Sequence, residues 1–148
     1  MYFLTTLTGL PCSKKTAISF QLEVIPPGAG NIDMYELNSN GSLVVVRGSS
    51  GVALATGLHF YLKQYCHVQM YSIFVDTCRS WTGDQLTLPS PLPLPTPATG
   101  QRVVPWSYYM NVCTVSYSSA WWDWSRWQRE IDWMALNGVN LGLAFTGQ

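Results

Sequence analysis

Aromatic side chains are concentrated in one stretch of this sequence. Of its seven tryptophans, five fall within thirteen residues, namely Trp121, Trp122, Trp124, Trp127 and Trp133. Tryptophan is large and its indole N–H needs a hydrogen-bond partner when buried, so such density is unusual for a plain core. Aromatic faces also stack on the C–H faces of sugar rings. The cluster therefore points first to carbohydrate chemistry.

Polar residues at predicted strand ends form a second group. In barrels of repeated strand–helix units, reactive side chains lie at the carboxyl ends of strands. Asn111 and Tyr117 fall at such an end, and their side chains suit sugar hydroxyls. From spacing alone, Cys113 is interpreted as a small buried apolar residue. The next predicted strand end offers Phe145, which could stack on a ring.

Carboxyl groups near the cluster are poor candidates for catalysis. Glycoside hydrolysis needs two carboxyl groups flanking the scissile bond. Asp123, Glu130 and Asp132 lie on a predicted helix, away from the strand ends, with Arg126 and Arg129 near enough to pair with them. We interpret them as salt-bridge partners and assign no catalytic residue.

Composition excludes several classes of protein. The net charge of the 148 residues is zero, with no basic stripe, so nucleic acid is not an expected partner. No apolar run is long enough to cross a membrane. No Cys and His spacing fits a zinc site, so no metal or cofactor is predicted. Cys66 and Cys78 could close a short loop, but spacing does not decide whether they pair.

Elements of the first half of the sequence predict an α+β domain. Residues 17–25 alternate apolar and polar side chains, as a half-buried strand does. Residues 33–37 and 43–46, separated by a turn sequence, predict a hairpin. Ser49 or Ser50 is placed to cap a helix that covers the sheet. Further strands are predicted at residues 67–75 and 85–88.

A proline-rich stretch divides the sequence. Five prolines between positions 89 and 97 favour extended geometry and forbid a helix or central strand, so a linker is predicted at residues 89–101. After it, a strand at 108–115, a helix at 120–136 and a strand at 139–145 predict one parallel, right-handed βαβ unit. On that helix, apolar residues recur at helical spacing: Trp124, Trp127, Ile131 and Met134. We expect Trp124 and Trp127 to pack the helix against neighbouring elements.

Two stretches carry a resemblance to a known family. They are YYMNVCTVSYS at positions 108–118 with WWDWSRWQREIDWMALNG at positions 121–138, and RGSSGVA at positions 47–53 with Gly57-Leu58-His59. Both closely resemble the α-N-acetylglucosaminidases of glycoside hydrolase family 89. The resemblance extends from about residue 17 onward.

The resemblance implies a fold, an activity and a location. It implies a small α+β domain followed by a (β/α)8-type barrel. With the proline-rich linker, the predicted organisation is an uncertain tail at residues 1–16, the α+β domain at 17–88, the linker at 89–101, and the first βαβ unit of a truncated barrel at 102–148. It implies exo-acting, retaining removal of terminal α-linked N-acetylglucosamine from heparan sulfate in the lysosome. The two family glutamates are expected beyond Gln148, so this chain alone is expected to be inactive.

The resemblance also implies which residues meet the sugar, and it has departures. It assigns Asn111, Cys113 and Tyr117 to substrate binding. Phe145 stands where the family has tryptophan, residues 69–79 are interpreted as an insertion or retained non-coding sequence, and no signal peptide is predicted. Asn40-Gly41-Ser42 is a possible glycosylation sequon. A non-catalytic carbohydrate-binding module and a structural or regulatory fragment are the alternatives, and the oligomeric state stays open.

Overall fold

The computed structural model describes residues 19–68, 88–111, 113, 117 and 119–143. Within these ranges the strands form two sheets, one with four strands in the order β1-β3-β2-β4 and one in which β5 pairs with β6. No helix in the described ranges is long and apolar enough to cross a membrane. In chain order the elements are β1 (Phe20–Val24), a 3-10 turn (Ala29–Asn31), β2 (Met34–Asn40), β3 (Leu43–Gly48), α1 (Gly51–Gln64), β4 (Ala98–Gln101), β5 (Tyr108–Tyr109), α2 (Trp124–Leu136) and β6 (Leu141–Gly142).

The larger sheet is built on the predicted hairpin. Strands β2 and β3 pair antiparallel, with Asn40 opposite Leu43 and Gly41 in the turn between them. Gly41 has φ of 61°, a left-handed conformation that glycine adopts without steric cost. Strand β1 pairs parallel with the other edge of β3. The hairpin prediction is confirmed, and β2 continues to Asn40 because its pairing with β3 continues to the turn.

Helix α1 covers one face of this sheet, as the α+β prediction required. Its first turn is capped by Ser50, whose Oγ accepts the N–H of Ala53 at 3.1 Å, so one of the two proposed caps is confirmed. Tyr61 is fully buried and donates its hydroxyl hydrogen to the carbonyl of Pro93 at 2.8 Å. The core between helix and sheet consists of Leu37, Val44, Val46, Leu58, Tyr61, Leu62, Cys66 and Val68. Cys66 there is a buried free thiol.

Part of the predicted linker belongs to the sheet. Residues 98–101 form β4, which pairs antiparallel with β2, so the linker prediction is wrong for these four residues. No proline lies among them, so every N–H is available for pairing, and β4 is an edge strand. At Gly100 an added Cβ would lie 2.3 Å from the Tyr35 ring. The lack of a side chain at Gly100 therefore leaves room for that ring.

The proline-rich stretch before β4 also contacts the first domain. Leu88 and Leu92 pack against the core, and Pro93 accepts the Tyr61 hydroxyl hydrogen. The Tyr65 hydroxyl lies 3.0 Å from Oγ1 of Thr96. Proline removes an N–H donor but keeps its carbonyl as an acceptor. The stretch is therefore attached to the sheet domain over most of its length.

Strand β5, helix α2 and strand β6 follow one another along the chain in the predicted order. The two strands pair parallel, with Tyr108 opposite Leu141 and Tyr109 opposite Gly142, which confirms a strand–helix–strand unit with parallel strands. The chain leaves α2 through Asn137, its C-cap, and Gly138, whose φ of 77° is the left-handed conformation that commonly ends a helix.

The boundaries within this unit differ from the prediction. Strand β5 ends at Tyr109 rather than residue 115, because Met110 has φ of 80° and turns the chain. Helix α2 begins at Trp124 rather than residue 120, because Asp123 caps it by accepting the N–H of Arg126 at 2.8 Å. Of the residues 139–143 that the structure describes from the strand predicted at 139–145, β6 comprises Leu141 and Gly142.

Several predictions fall outside the described residues. They concern the tail at residues 1–16, the insertion at 69–79, Cys78, and Phe145. The strands predicted at residues 67–75 and 85–88 lie almost entirely outside these ranges.

Candidate functional site

The three predicted sugar-binding residues lie together in one turn after β5. Asn111 accepts the N–H of Cys113 on its Oδ1 at 2.9 Å, and the carbonyl of Cys113 accepts the N–H of Tyr117 at 3.2 Å. All three residues are exposed, Tyr117 to 80%. We call Asn111, Cys113 and Tyr117 the strand-end turn. The structure therefore gathers them, and the interpretation of Cys113 as a buried residue is wrong.

The chemistry of the strand-end turn is neutral. An amide, a thiol and a phenol offer hydrogen-bond donors and acceptors together with one aromatic face. Such a set matches the hydroxyl and acetamido groups of an uncharged sugar. It contains no carboxyl group, so the turn by itself supplies neither a general acid nor a nucleophile for glycoside cleavage.

The carboxyl groups of this region lie on α2, as predicted, and have structural partners. Asp123 caps the helix. Glu130 is 1% exposed and pairs with Arg126, whose Nη2 lies 3.0 Å from its Oε2. The predicted salt bridge is confirmed. The helix turns this carboxylate toward β5, where the Tyr109 hydroxyl donates to Oε1 at 3.1 Å.

Sequence reasoning did not find the link between Tyr109 and Glu130. Burial raises the pKa of the Tyr109 hydroxyl, and the negative charge of Glu130 raises that pKa further. The phenol is therefore protonated and acts as the donor. A sequence signal exists, because an i, i+4 Arg–Glu pair on the apolar side of a helix needs a polar partner from the facing strand.

The tryptophans divide into a packed group and an exposed group. The Trp122 and Trp127 rings meet edge to face with centroids 4.9 Å apart, and the Arg126 guanidinium lies 4.0 Å above Trp122. Trp127 therefore packs as expected. Trp124 is 70% exposed and Trp121 is 95% exposed, so the packing expected of Trp124 is not found among the described residues.

A polar joint connects the sheet domain to the carboxyl end of α2. His59 contributes Nδ1 at 3.0 Å from the carbonyl of Leu136. The Thr56 hydroxyl on the same face of α1 donates to the carbonyl of Val52 at 2.8 Å and lies 3.4 Å from the carbonyl of Ala135. Arg102 donates to the carbonyl of Gly138, and its side chain also pairs with Asp33 at 3.7 Å. The last carbonyls of a helix lack intrahelical partners. His59 and Arg102 supply hydrogen-bond donors to the carbonyls at the end of α2 and just after it. We call Thr56, His59 and Arg102 the joint.

The possible glycosylation site lies at the opposite side of the sheet domain. Asn40 is exposed at the end of β2, and Gly41 and Ser42 occupy the exposed hairpin turn. An acceptor asparagine needs such an accessible surface position.

Comparison with known proteins identifies the family. Residues 10–94 match the model of the alpha-N-acetylglucosaminidase (NAGLU) N-terminal domain, and residues 107–148 match that of the NAGLU tim-barrel domain. Human alpha-N-acetylglucosaminidase is 51% identical over 119 residues, which are 79% of this chain and 15% of the human protein.

Solved structures from Clostridium perfringens give the same result. A family 89 glycoside hydrolase in complex with 2-acetamido-1,2-dideoxynojirmycin superposes with a TM-score of 0.84 at 28% identity, covering 97% of this chain and 15% of that one. The enzyme in complex with GlcNAc-alpha-1,4-galactose, named as its substrate, superposes with a TM-score of 0.82 at 31% identity, covering 95% of this chain and 15% of that one. The chain thus spans about 15% of the length of these relatives. Since the N-terminal domain model alone covers more than half of its residues, the chain belongs to the alpha-N-acetylglucosaminidase family, glycoside hydrolase family 89.

Proposed function

We propose that this chain is the N-terminal portion of an exo-acting, retaining α-N-acetylglucosaminidase of the lysosome that removes terminal α-linked N-acetylglucosamine from heparan sulfate. In this proposal, β5, α2 and β6 form the first βαβ unit of a (β/α)8-type barrel. The observation that carries the proposal is the position of the strand-end turn directly after β5, since barrel enzymes bind substrate at that end of their strands. The substrate complex of the Clostridium perfringens relative supports the class of sugar.

Within that enzyme, the chain contributes contacts rather than catalysis. Asn111 and Tyr117 hydrogen-bond sugar hydroxyl or acetamido groups, and Cys113 borders the same pocket. Two carboxylates of this region already have structural partners, since Asp123 caps α2 and Glu130 pairs with Arg126. Because retaining hydrolysis requires two carboxyl groups about 5 Å apart across the scissile bond, we expect the chain alone to be inactive.

A chimeric enzyme tests the proposal. The matched 119-residue segment of human alpha-N-acetylglucosaminidase would be replaced by the corresponding residues of this chain. The chimera should hydrolyse an aryl α-N-acetylglucosaminide, whereas the isolated chain should not. Tyr117→Phe should raise KM in the chimera, and Tyr108→Phe, at a tyrosine that is also exposed, serves as its control.

Two results would contradict the proposal. A folded chimera without activity would show that the segment does not serve this enzyme. Turnover by the isolated chain would show that its own carboxylates are sufficient.

A carbohydrate-binding module is the second candidate, favoured by the exposed indoles of Trp121 and Trp124. A module binds its sugar without the rest of a barrel. Titration of the isolated chain with N-acetylglucosamine, followed by tryptophan fluorescence, separates the two candidates. A saturable change that Trp121→Ala removes would favour the module, and an unchanged spectrum favours the enzyme portion.

A further inference from the structure

Glu130 is the one charged side chain that is buried among the described residues. It is 1% exposed and lies between α2 and β5. Removal of a carboxylate from water costs several kcal/mol unless neighbouring groups compensate for the lost hydration. A glutamate on an ordinary helix surface would avoid this cost. The buried position of Glu130 therefore requires a positive group or a hydrogen-bond donor that stabilises its negative charge.

Two partners approach the carboxylate from different elements. Nη2 of Arg126, one turn earlier on α2, lies 3.0 Å from Oε2 of Glu130. This contact is an ion pair whose angles do not suit a hydrogen bond. The guanidinium of Arg126 is in turn held 4.0 Å above the Trp122 ring. Tyr109 on β5 donates its hydroxyl hydrogen to Oε1 at 3.1 Å. Glu130 thus joins the tryptophan cluster on one side to the end of β5 on the other.

Tyr109 is anchored at several points besides this hydrogen bond. Its ring packs against Trp133 with centroids 5.2 Å apart, and its carbonyl accepts the N–H of Leu143 at 3.1 Å. The next residue, Met110, has φ of 80°, a conformation that is uncommon and costly for a residue with a side chain. Such a turn persists only where the flanking structure holds it. Tyr109 holds its near side, and Asn111 begins the strand-end turn on its far side.

We propose that Glu130 is a positioning residue for the strand-end turn. Through the hydroxyl of Tyr109 it fixes the end of β5, and through the turn at Met110 it sets where Asn111 and Cys113 lie. Its relevance to sugar binding rests on the proposed function, but the mechanical link does not. Glu130 itself touches no substrate in this proposal.

Amide hydrogen exchange of the purified chain, measured by NMR, tests the mechanical link. Tyr109→Phe keeps the ring on Trp133 and removes the donor to Glu130. We expect the N–H of Cys113 to exchange about tenfold faster, as loss of a hydrogen bond to a charged group implies. Amides of α1 should be unchanged, which separates a local effect from general destabilisation. Tyr108→Phe is the matched control and should leave Cys113 as in the native chain.

A second variant and a kinetic measurement complete the test. Glu130→Gln keeps an acceptor of the same shape, so it should accelerate exchange less than Tyr109→Phe does. In the chimeric enzyme, Tyr109→Phe should raise KM with a smaller change in kcat, because it disturbs a contact made in ground state and transition state alike. Exchange at Cys113 equal to that in Tyr108→Phe would overturn the proposal. Faster exchange with an unchanged KM would uphold the positioning role and count instead against the sugar contacts of the proposed function.

Discussion

The two regions of this chain differ in which charged and aromatic side chains they bury. In the sheet domain, valines and leucines fill the core, while Glu23, Arg47 and Glu36 form a cross-strand row of charges on the outer face. In the β5–α2–β6 unit, Glu130 is buried, whereas Trp121 and Trp124 face solvent. The sheet domain therefore follows the ordinary hydrophobic pattern, whereas the second unit buries a charge as well as Leu136 and exposes two indoles.

The sheet domain has the architecture of a region that is stable by itself. Four strands and a covering helix enclose an apolar core, which meets the usual requirement for independent stability. Within the described residues, two strands of two residues each and one helix do not enclose a comparable core. The β5–α2–β6 unit must therefore draw stability from the sheet domain, and the joint of Thr56, His59 and Arg102 is where the two regions meet.

The largest expected contrast is between one side chain in each region. Tyr61→Ala removes a fully buried ring and should lower the free energy of unfolding by about 3–5 kcal/mol. Trp124→Ala removes a larger side chain that is 70% exposed and should change it by less than about 0.5 kcal/mol. Urea unfolding followed by circular dichroism measures both. Equal losses would show that the second unit has a core of its own.

Removal of the Arg102 side chain should uncouple the two regions. Arg102 is 11% exposed and contacts Asp33, Ser107 and Gly138, so Arg102→Ala should cost about 2 kcal/mol. Arg47→Ala is the control, because Arg47 also pairs with carboxylates but lies on the outer face of the sheet.

Two spectroscopic probes make the uncoupling visible. Six of the seven tryptophans lie at position 106 or later, so fluorescence follows mainly the second unit, while circular dichroism follows both regions. In Arg102→Ala the fluorescence transition should precede the circular dichroism transition. Coincident transitions would contradict a supporting role for the joint.

Local sequence signals were sufficient for most elements. The turn at Gly41, the cap at Ser50 and the helix end at Gly138 each depend on residues that are close together in the chain. Such signals predicted the hairpin, α1 and the strand–helix–strand order. The tryptophan-rich stretch carried the resemblance to the family, which the family models confirm.

What the sequence did not reveal depends on contacts between distant residues. Strand β4 forms because Ala98 pairs with Leu37 of β2, which lies sixty-one positions earlier in the chain. No local sequence signal predicts a strand there. The burial of Glu130 depends on Tyr109 reaching it from β5. The early end of β5 depends on the positive φ of Met110. A glycine at that position would have indicated such a conformation, but the residue is a methionine. Each of these follows from tertiary packing rather than from local preference.

Acid should weaken the joint, because burial lowers the pKa of His59. The nearby positive charge of Lys63 lowers it too, while the hydrogen bond to the Leu136 carbonyl acts in the opposite direction. The folded pKa lies below the usual 6.5, so the folded state binds fewer protons than the unfolded state. The stabilising contribution of His59 is therefore complete above pH 6.5 and is lost as the pH falls through the folded pKa.

Thermal unfolding between pH 8 and pH 5 measures this effect. His59→Asn can still donate to the carbonyl but does not titrate, so its midpoint should fall less on acidification than that of the native chain. The tryptophan fluorescence transition should show the difference more strongly than circular dichroism. Parallel pH profiles in the two proteins would exclude His59 as the source.

The smallest expected effect on stability comes from a glycan at Asn40. The sequon lies at the exposed hairpin turn, away from the joint, and nothing lies within 4 Å of an added Cβ at Gly41. When the chain is expressed behind a secretion signal, an enzyme that removes N-linked glycans should increase its gel mobility. Asn40→Gln and Ser42→Ala should abolish that shift, and Asn38→Gln, two residues earlier on β2, should retain it. The unfolding midpoint should be the same with and without the glycan, because the residues of this turn are exposed and are not part of the core of the sheet domain. A glycan that altered the midpoint would mean that the hairpin contributes more to the domain than its exposure implies.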